Sequence, residues 1–200
     1  MARRKYISEF ILLLTMINVY AVYCQDWGPV GDGIRKAYFG GSVLGFAVNN
    51  NELYVVGEFD SAGNVPSDNI AKWTGTSWNS LGQGLYCYVY GGQVASVGSY
   101  NGKIYAGGFP PMLFSSYPSG ISQWDDSSWT NIGSGPNGCV DAFTVYNDEL
   151  YVGGQFDSAG GYRANGIAKW DGVHWSSLGI GTNGIMPRKP SSPYGPNAML

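Results

Sequence analysis

Catalytic and metal-binding chemistry has little to work with in this chain. Among its 200 residues there is one histidine, His174, and there are three cysteines. No site built on two imidazoles can be assembled from that inventory, and the cysteines are not spaced as metal ligands. Charge is scarce as well: Asp, Glu, Lys and Arg make up 12% of the chain, with a formal net charge of −3. There is no basic stripe of the kind a nucleic-acid partner calls for. Long apolar runs are missing too, since the longest, near the N-terminus, falls short of the roughly 20 residues that a bilayer-spanning helix needs. What is abundant is glycine, at 31 residues, and aromatic side chains, at 15%. That balance suits many short strands joined by tight turns, so an all-β fold with almost no helix is expected.

The first 24 residues read as an export signal. MARRK is a basic start, FILLLTMINVYAV an apolar stretch, and VYA (19–21) or VYC (22–24) offers a small residue at the cut. The mature chain is therefore expected to be secreted or at the cell surface, with no membrane span. Removing Arg3, Arg4, Lys5 and Glu9 from 11 basic and 14 acidic side chains leaves 8 and 13, a formal charge of −5. Two cysteines remain, Cys87 and Cys139. They either pair across neighbouring repeats or stand as two separate thiols, and their spacing does not choose.

A repeat organises the rest. Residues 149–179 read ELYVGGQFDSAGGYRANGIAKWDGVHWSSLG, residues 52–82 read ELYVVGEFDSAGNVPSDNIAKWTGTSWNSLG, and residues 103–133 carry a looser version, KIYAGGFPPMLFSSYPSGISQWDDSSWTNIG. The second tryptophan of the pattern falls at Trp27, Trp78, Trp129 and Trp175, giving spacings of 51, 51 and 46 residues. Each unit reads as four short strands. A mostly apolar run (43–48, 94–99, 140–145) leads through a tight Asn-containing turn into LYVVG, IYAGG or LYVGG. After a longer connection comes IAKW or ISQW, then a four-residue turn and a last strand opening on the second tryptophan. Four antiparallel strands in about 50 residues make a propeller blade.

The apolar strand, the glycine doublets Gly107–Gly108 and Gly153–Gly154, the third-strand aromatics Trp73, Trp124 and Trp170, and a tryptophan five residues on (Trp78, Trp129, Trp175) together resemble kelch repeats. They are similar in particular to the kelch-related repeats of secreted bacterial and fungal surface proteins. The first repeat departs from the pattern at the doublet, where Val56 precedes Gly57. The resemblance covers 25–185 and implies a partial kelch-like β-propeller: about three four-stranded antiparallel blades plus one N-terminal strand, since residues 27–30 match only the end of a blade. Residues 186–200, rich in proline, break the pattern and are expected to be unfolded. Three blades fall short of the four to eight of a closed ring, so the chain reads as the front of a longer protein, and self-association through open blade faces is expected.

Copper-radical oxidases of the kelch fold need two histidines, which this chain lacks. No catalytic residue, metal ligand or cofactor is expected. His174 lies in the turn DGVH, where a solvated role is the plain reading. Asp60 and Asp157 recur in the phrase FDSAG, where a short carboxylate capping its own loop is expected. The six repeated tryptophans are expected to pack between blades. Aromatics outside the repeat are better candidates for contact with a partner: Tyr38 and Phe39, the alternating Tyr86, Tyr88 and Tyr90, then Phe114 and Tyr117, and Tyr162 beside Arg163. They fall in the long second-to-third and blade-to-blade connections, which share one end of an up-and-down blade, whereas the short turns share the other. The expected function is non-catalytic binding of an extracellular protein or a glycan on that long-loop face. Two alternatives stand beside it: a fragment of an extracellular carbohydrate-active enzyme (hydrolase, lyase or oxidase) with its catalytic residues elsewhere, and a structural surface scaffold.

Overall fold

A computed structural model describes residues 29–37, 40–85, 94–108 and 119–179. All of its sheets belong to the compact unit Gly31–Leu200. Of the unit Met1–Val30, only residues 29 and 30 are described, and they form no strand. The described residues are all β and turn, with no helix.

A short strand, β1 (Ile34–Arg35), comes first. The first repeat then supplies β2 (Ser42–Asn49), β3 (Glu52–Glu58), the two-residue strands β4 (Ser61–Ala62) and β5 (Val65–Pro66), β6 (Ile70–Trp73) and β7 (Trp78–Ser80). The second supplies β8 (Val94–Tyr100), β9 (Lys103–Gly108), β10 (Ile121–Trp124) and β11 (Trp129–Thr130). The third supplies β12 (Cys139–Tyr146), β13 (Glu149–Gln155), the short β14 (Ser158–Ala159) and β15 (Tyr162–Arg163), then β16 (Ile167–Trp170) and β17 (Trp175–Ser177). These build three four-stranded antiparallel sheets in chain order, β2-β3-β6-β7, β8-β9-β10-β11 and β12-β13-β16-β17.

The turn chemistry explains the short end of each sheet. Asn50 and Asn51 (φ 48° and 63°), Asn101 and Gly102 (49° and 73°), and Asn147 and Asp148 (48° and 56°) all take the left-handed region. Two-residue hairpins need that conformation, and Asn, Asp and Gly tolerate it best. Each first strand also carries a β-bulge near its start, between Val43 and Gly45, Val94 and Ser96, and Val140 and Ala142. The bulge inverts which residues face inward partway along the strand.

The sheets stack through their first strands, β2 against β8 and β8 against β12. Between the first two lies a cluster of Tyr54, Val56 and Ile70 with Val94, Val97, Ile104 and Ala106. Between the second and third, Tyr100, Tyr105 and Ile121 meet Val140, Leu150, Val152, Trp170 and Trp175. Close approach requires glycine here, because a Cβ on Gly98 would stand 2.7 Å from the Cβ of Phe143 and one on Gly107 2.8 Å from the Val140 carbonyl oxygen. A third cluster, with Phe59, Ala62 and Trp78 at its centre, lies on the other side of the first sheet and takes in Ile34 from β1.

The repeated tryptophans form cross-strand pairs: Trp73 with Trp78, Trp124 with Trp129 and Trp170 with Trp175, their ring centroids 5.3, 5.3 and 5.2 Å apart. The second member of a pair reaches back to the preceding repeat. Trp129 Nε1 donates to the Leu81 carbonyl at 3.1 Å, and Trp175 Nε1 to the equivalent Ile132 carbonyl at 2.9 Å. The short-turn end carries its own links, from Asn49 Nδ2 to the Gly102 carbonyl (2.9 Å) and from Tyr100 Oη to the Asp148 carbonyl (2.8 Å).

Candidate functional site

The second-to-third connection turns out to be ordered in the first and third repeats. From FDSAG onward the chain folds into a miniature hairpin, β4–β5 or β14–β15. Two observations explain why it is rigid. Gly160 (φ 64°) turns the third-repeat hairpin directly against a tryptophan, since a Cβ there would lie 2.5 Å from the Cβ of Trp175; Gly63 does the same on Trp78 at 3.0 Å. The hairpin is also tied to the segment that enters its own sheet. Asn137 Oδ1 accepts the N–H groups of Asp157 and Ser158, both at 3.1 Å, and its Nδ2 donates to Asp157 Oδ1 at 2.7 Å.

The first repeat is braced similarly by its N-terminal segment. β1 pairs with β4, Asp60 accepts the Ala37 N–H at 2.6 Å and the Ser61 hydroxyl at 3.0 Å, and Lys36 pairs with Glu58. The Asp60 and Asp157 carboxylates therefore bind a distant segment, Ala37 and Asn137, which corrects the expectation from sequence that they cap the backbone of their own loops. Nearby, burial and secondarily the charge of Asp60 raise the Asp68 carboxyl above its ordinary value.

On this platform Tyr162 is 68% exposed at the hairpin turn. Arg163 beside it is exposed, with its Nε held by Asn165 Oδ1 at 3.0 Å. These two are the sequence-derived candidates that the described structure places. Tyr38, Phe39, Tyr86, Tyr88, Tyr90, Phe114 and Tyr117 lie outside the described residues, as do the export signal and the proline-rich tail. Cys87, the expected partner of Cys139 in a pairing across repeats, is outside them as well. Cys139 is buried, and its thiol donates to Asp141 Oδ1 at 3.1 Å.

The opposite end carries paired charges. Lys72 holds both carboxylate oxygens of Glu52 at 2.9 Å, and Lys169 those of Glu149 at 2.7 and 2.8 Å. Tyr54 Oη donates to Glu52 at 3.0 Å, and burial, aided by that carboxylate, pushes the phenol well above its usual range. His174 is exposed, its Nδ1 3.6 Å from Asp171 Oδ2. The backbone N–H groups of His174 and Val173 hold the Asp171 carboxyl below its ordinary value. Among the described residues no three His, Cys, Asp or Glu side chains converge as a metal site would require, and no helix is long and apolar enough to cross a membrane.

The open blade faces expected from sequence expose apolar side chains in the outer two sheets, although the individual residues were not singled out. Leu44, Phe46 and Val48 on β2 are 46%, 64% and 66% exposed, and Tyr146 on β12 is 62% exposed. The position equivalent to Tyr146 in the middle repeat, Tyr100, is buried against the third sheet. The available signal was the place of these strands in the outermost repeats. No protein-family model matches the chain, and no curated protein matches it at a significant level.

Proposed function

We propose that these sheets are three blades of a kelch-like β-propeller, secreted or displayed at the cell surface, that works as a non-catalytic binding module for a protein or a glycan. The stacking of first strands β2, β8 and β12 supports the blade reading, as does the tryptophan that reaches back from each repeat to the one before. The binding reading rests on one observation above the others: a hairpin clamped by Asn137 and Trp175 carries an open aromatic ring, Tyr162, at the long-connection end. A tyrosine on a rigid support offers contact area with little entropy to lose on binding.

The test is a glycan array probed with the wild type and with Tyr162→Ala combined with Arg163→Ala. Both side chains are exposed, so the melting profile should not change. A central anchor is worth on the order of 2 kcal/mol, and binding should weaken about 30-fold. Undiminished binding by the double variant, or loss caused instead by Asp171→Ala at the short-turn end, refutes the placement.

A further inference from the structure

Three Asn–Gly pairs occur among the described residues: Asn101–Gly102, Asn137–Gly138 and Asn165–Gly166. Such pairs are the chemically weakest points of a chain, because glycine offers no side chain to shield its backbone nitrogen from the neighbouring amide. Their surroundings differ sharply. The Asn137 amide is pinned by three hydrogen bonds, and Gly138 is so crowded that a Cβ would lie 2.0 Å from the Gln155 carbonyl oxygen. At the third pair the attacking atom is engaged, since Gly166 N–H donates to the Phe156 carbonyl at 2.8 Å, and Asn165 Oδ1 accepts from Arg163. Asn101 and Gly102 are both exposed in the two-residue loop between the paired Tyr100 and Lys103, and a Cβ on Gly102 would meet nothing within 4 Å. Neither the Asn101 amide nor the Gly102 N–H has a hydrogen-bond partner among the described residues.

We infer that Asn101 is a site of spontaneous deamidation in the folded protein. The Gly102 nitrogen attacks Asn101 Cγ, forming a C–N bond and expelling ammonia with the nitrogen's proton. Water then opens the resulting succinimide at either carbonyl, giving aspartate or isoaspartate. Both products place a new negative charge in the turn, and isoaspartate adds a methylene to the backbone. The Gly102 carbonyl accepts Asn49 Nδ2 at 2.9 Å, so the change falls on a hydrogen bond that joins the first and second sheets. The product should weaken that joint and leave the one between the second and third sheets untouched.

Folded protein is incubated at mildly alkaline pH, and conversion at each Asn–Gly pair is followed by peptide mass mapping, with isoaspartate methyltransferase labelling of the product. Conversion should be several-fold faster at Asn101 than at Asn137 or Asn165. In concentrated urea, which removes the differences in surroundings, the three rates should converge. Conversion first or equally fast at Asn137 or Asn165 in the folded protein overturns the inference. So does the same preference for Asn101 persisting in urea, because the selectivity would then come from local sequence and not from the fold.

Discussion

Trp175 provides a quantitative test of how the repeats are held together. Its ring is 6% exposed, pairs with Trp170, and donates Nε1–H to the Ile132 carbonyl. Trp175→Ala removes the ring from the cluster between the second and third sheets and leaves a cavity, which typically costs about 3–5 kcal/mol. Trp175→Phe keeps most of the bulk, removes the donor and strands a carbonyl, for about 1–2 kcal/mol. Domains of this kind have only about 5–15 kcal/mol to lose. The alanine variant should therefore shift a urea titration far to the left or broaden it, whereas the phenylalanine variant should shift it modestly and stay cooperative. Far-UV and near-UV circular dichroism would follow the two. If both substitutions cost under about 1 kcal/mol, the ring is not part of the core. If the phenylalanine variant is as damaging as alanine, the hydrogen bond to Ile132 matters more than the packing of the ring, contrary to the reasoning above.

Two further outcomes are expected. In the turn 125–128 the Ser127 hydroxyl, then the N–H groups of Ser128 and Ser127, hold the Asp125 carboxyl down to about 2. Because the folded value lies below the unfolded one, the stabilisation is present above the ordinary carboxylate range and is lost as pH falls through about 2. An NMR titration of the Asp125 carboxyl carbon should find that midpoint, with Ser127→Ala raising it; a wild-type midpoint in the ordinary range contradicts the geometry. Gly98→Ala should destabilise by about 1–3 kcal/mol through collision with Phe143. A double-mutant cycle with Phe143→Gly, which removes the Cβ that stands 2.7 Å away, should return part of that loss, and strictly additive effects would show that the two sites do not touch.

The strand pattern was legible in the sequence because its two markers are local. Asn50, Asn101 and Asn147 announced hairpins by tolerating positive φ, and all three adopt it. The tryptophans five residues apart announced a cross-strand pair across a four-residue turn, and the register Trp73↔Trp78, Trp124↔Trp129 and Trp170↔Trp175 follows. The hairpin that begins in FDSAG was read as plain connection although Gly63–Asn64 and Gly160–Gly161 are turn pairs, because two-residue strands carry too little alternation to register. Its tie to a distant segment, Asn137 to Asp157 or Ala37 to Asp60, has no sequence signal: such bonds depend on tertiary proximity. The same limit applies to the candidate site. Tyr162 could be picked out as an aromatic outside the repeat, but its clamp could not. Local sequence around Tyr146 and Tyr100 is nearly alike, and only their repeat number, third and second, separates the exposed ring from the buried one.

The backward reach of the tryptophans has a consequence for how the molecule comes apart. Trp129 binds the first repeat and Trp175 the second, each one back, while Asn49 and Tyr100 each reach forward by one. Every such bond spans a single joint, so among the described residues cohesion is a chain of nearest-neighbour links. Among the described residues the second sheet has a sheet packed on each side, and the first has β1 and its cluster on the side away from the second. A joint broken by substitution at Trp129 or Trp175 should therefore leave the other joint's bonds in place.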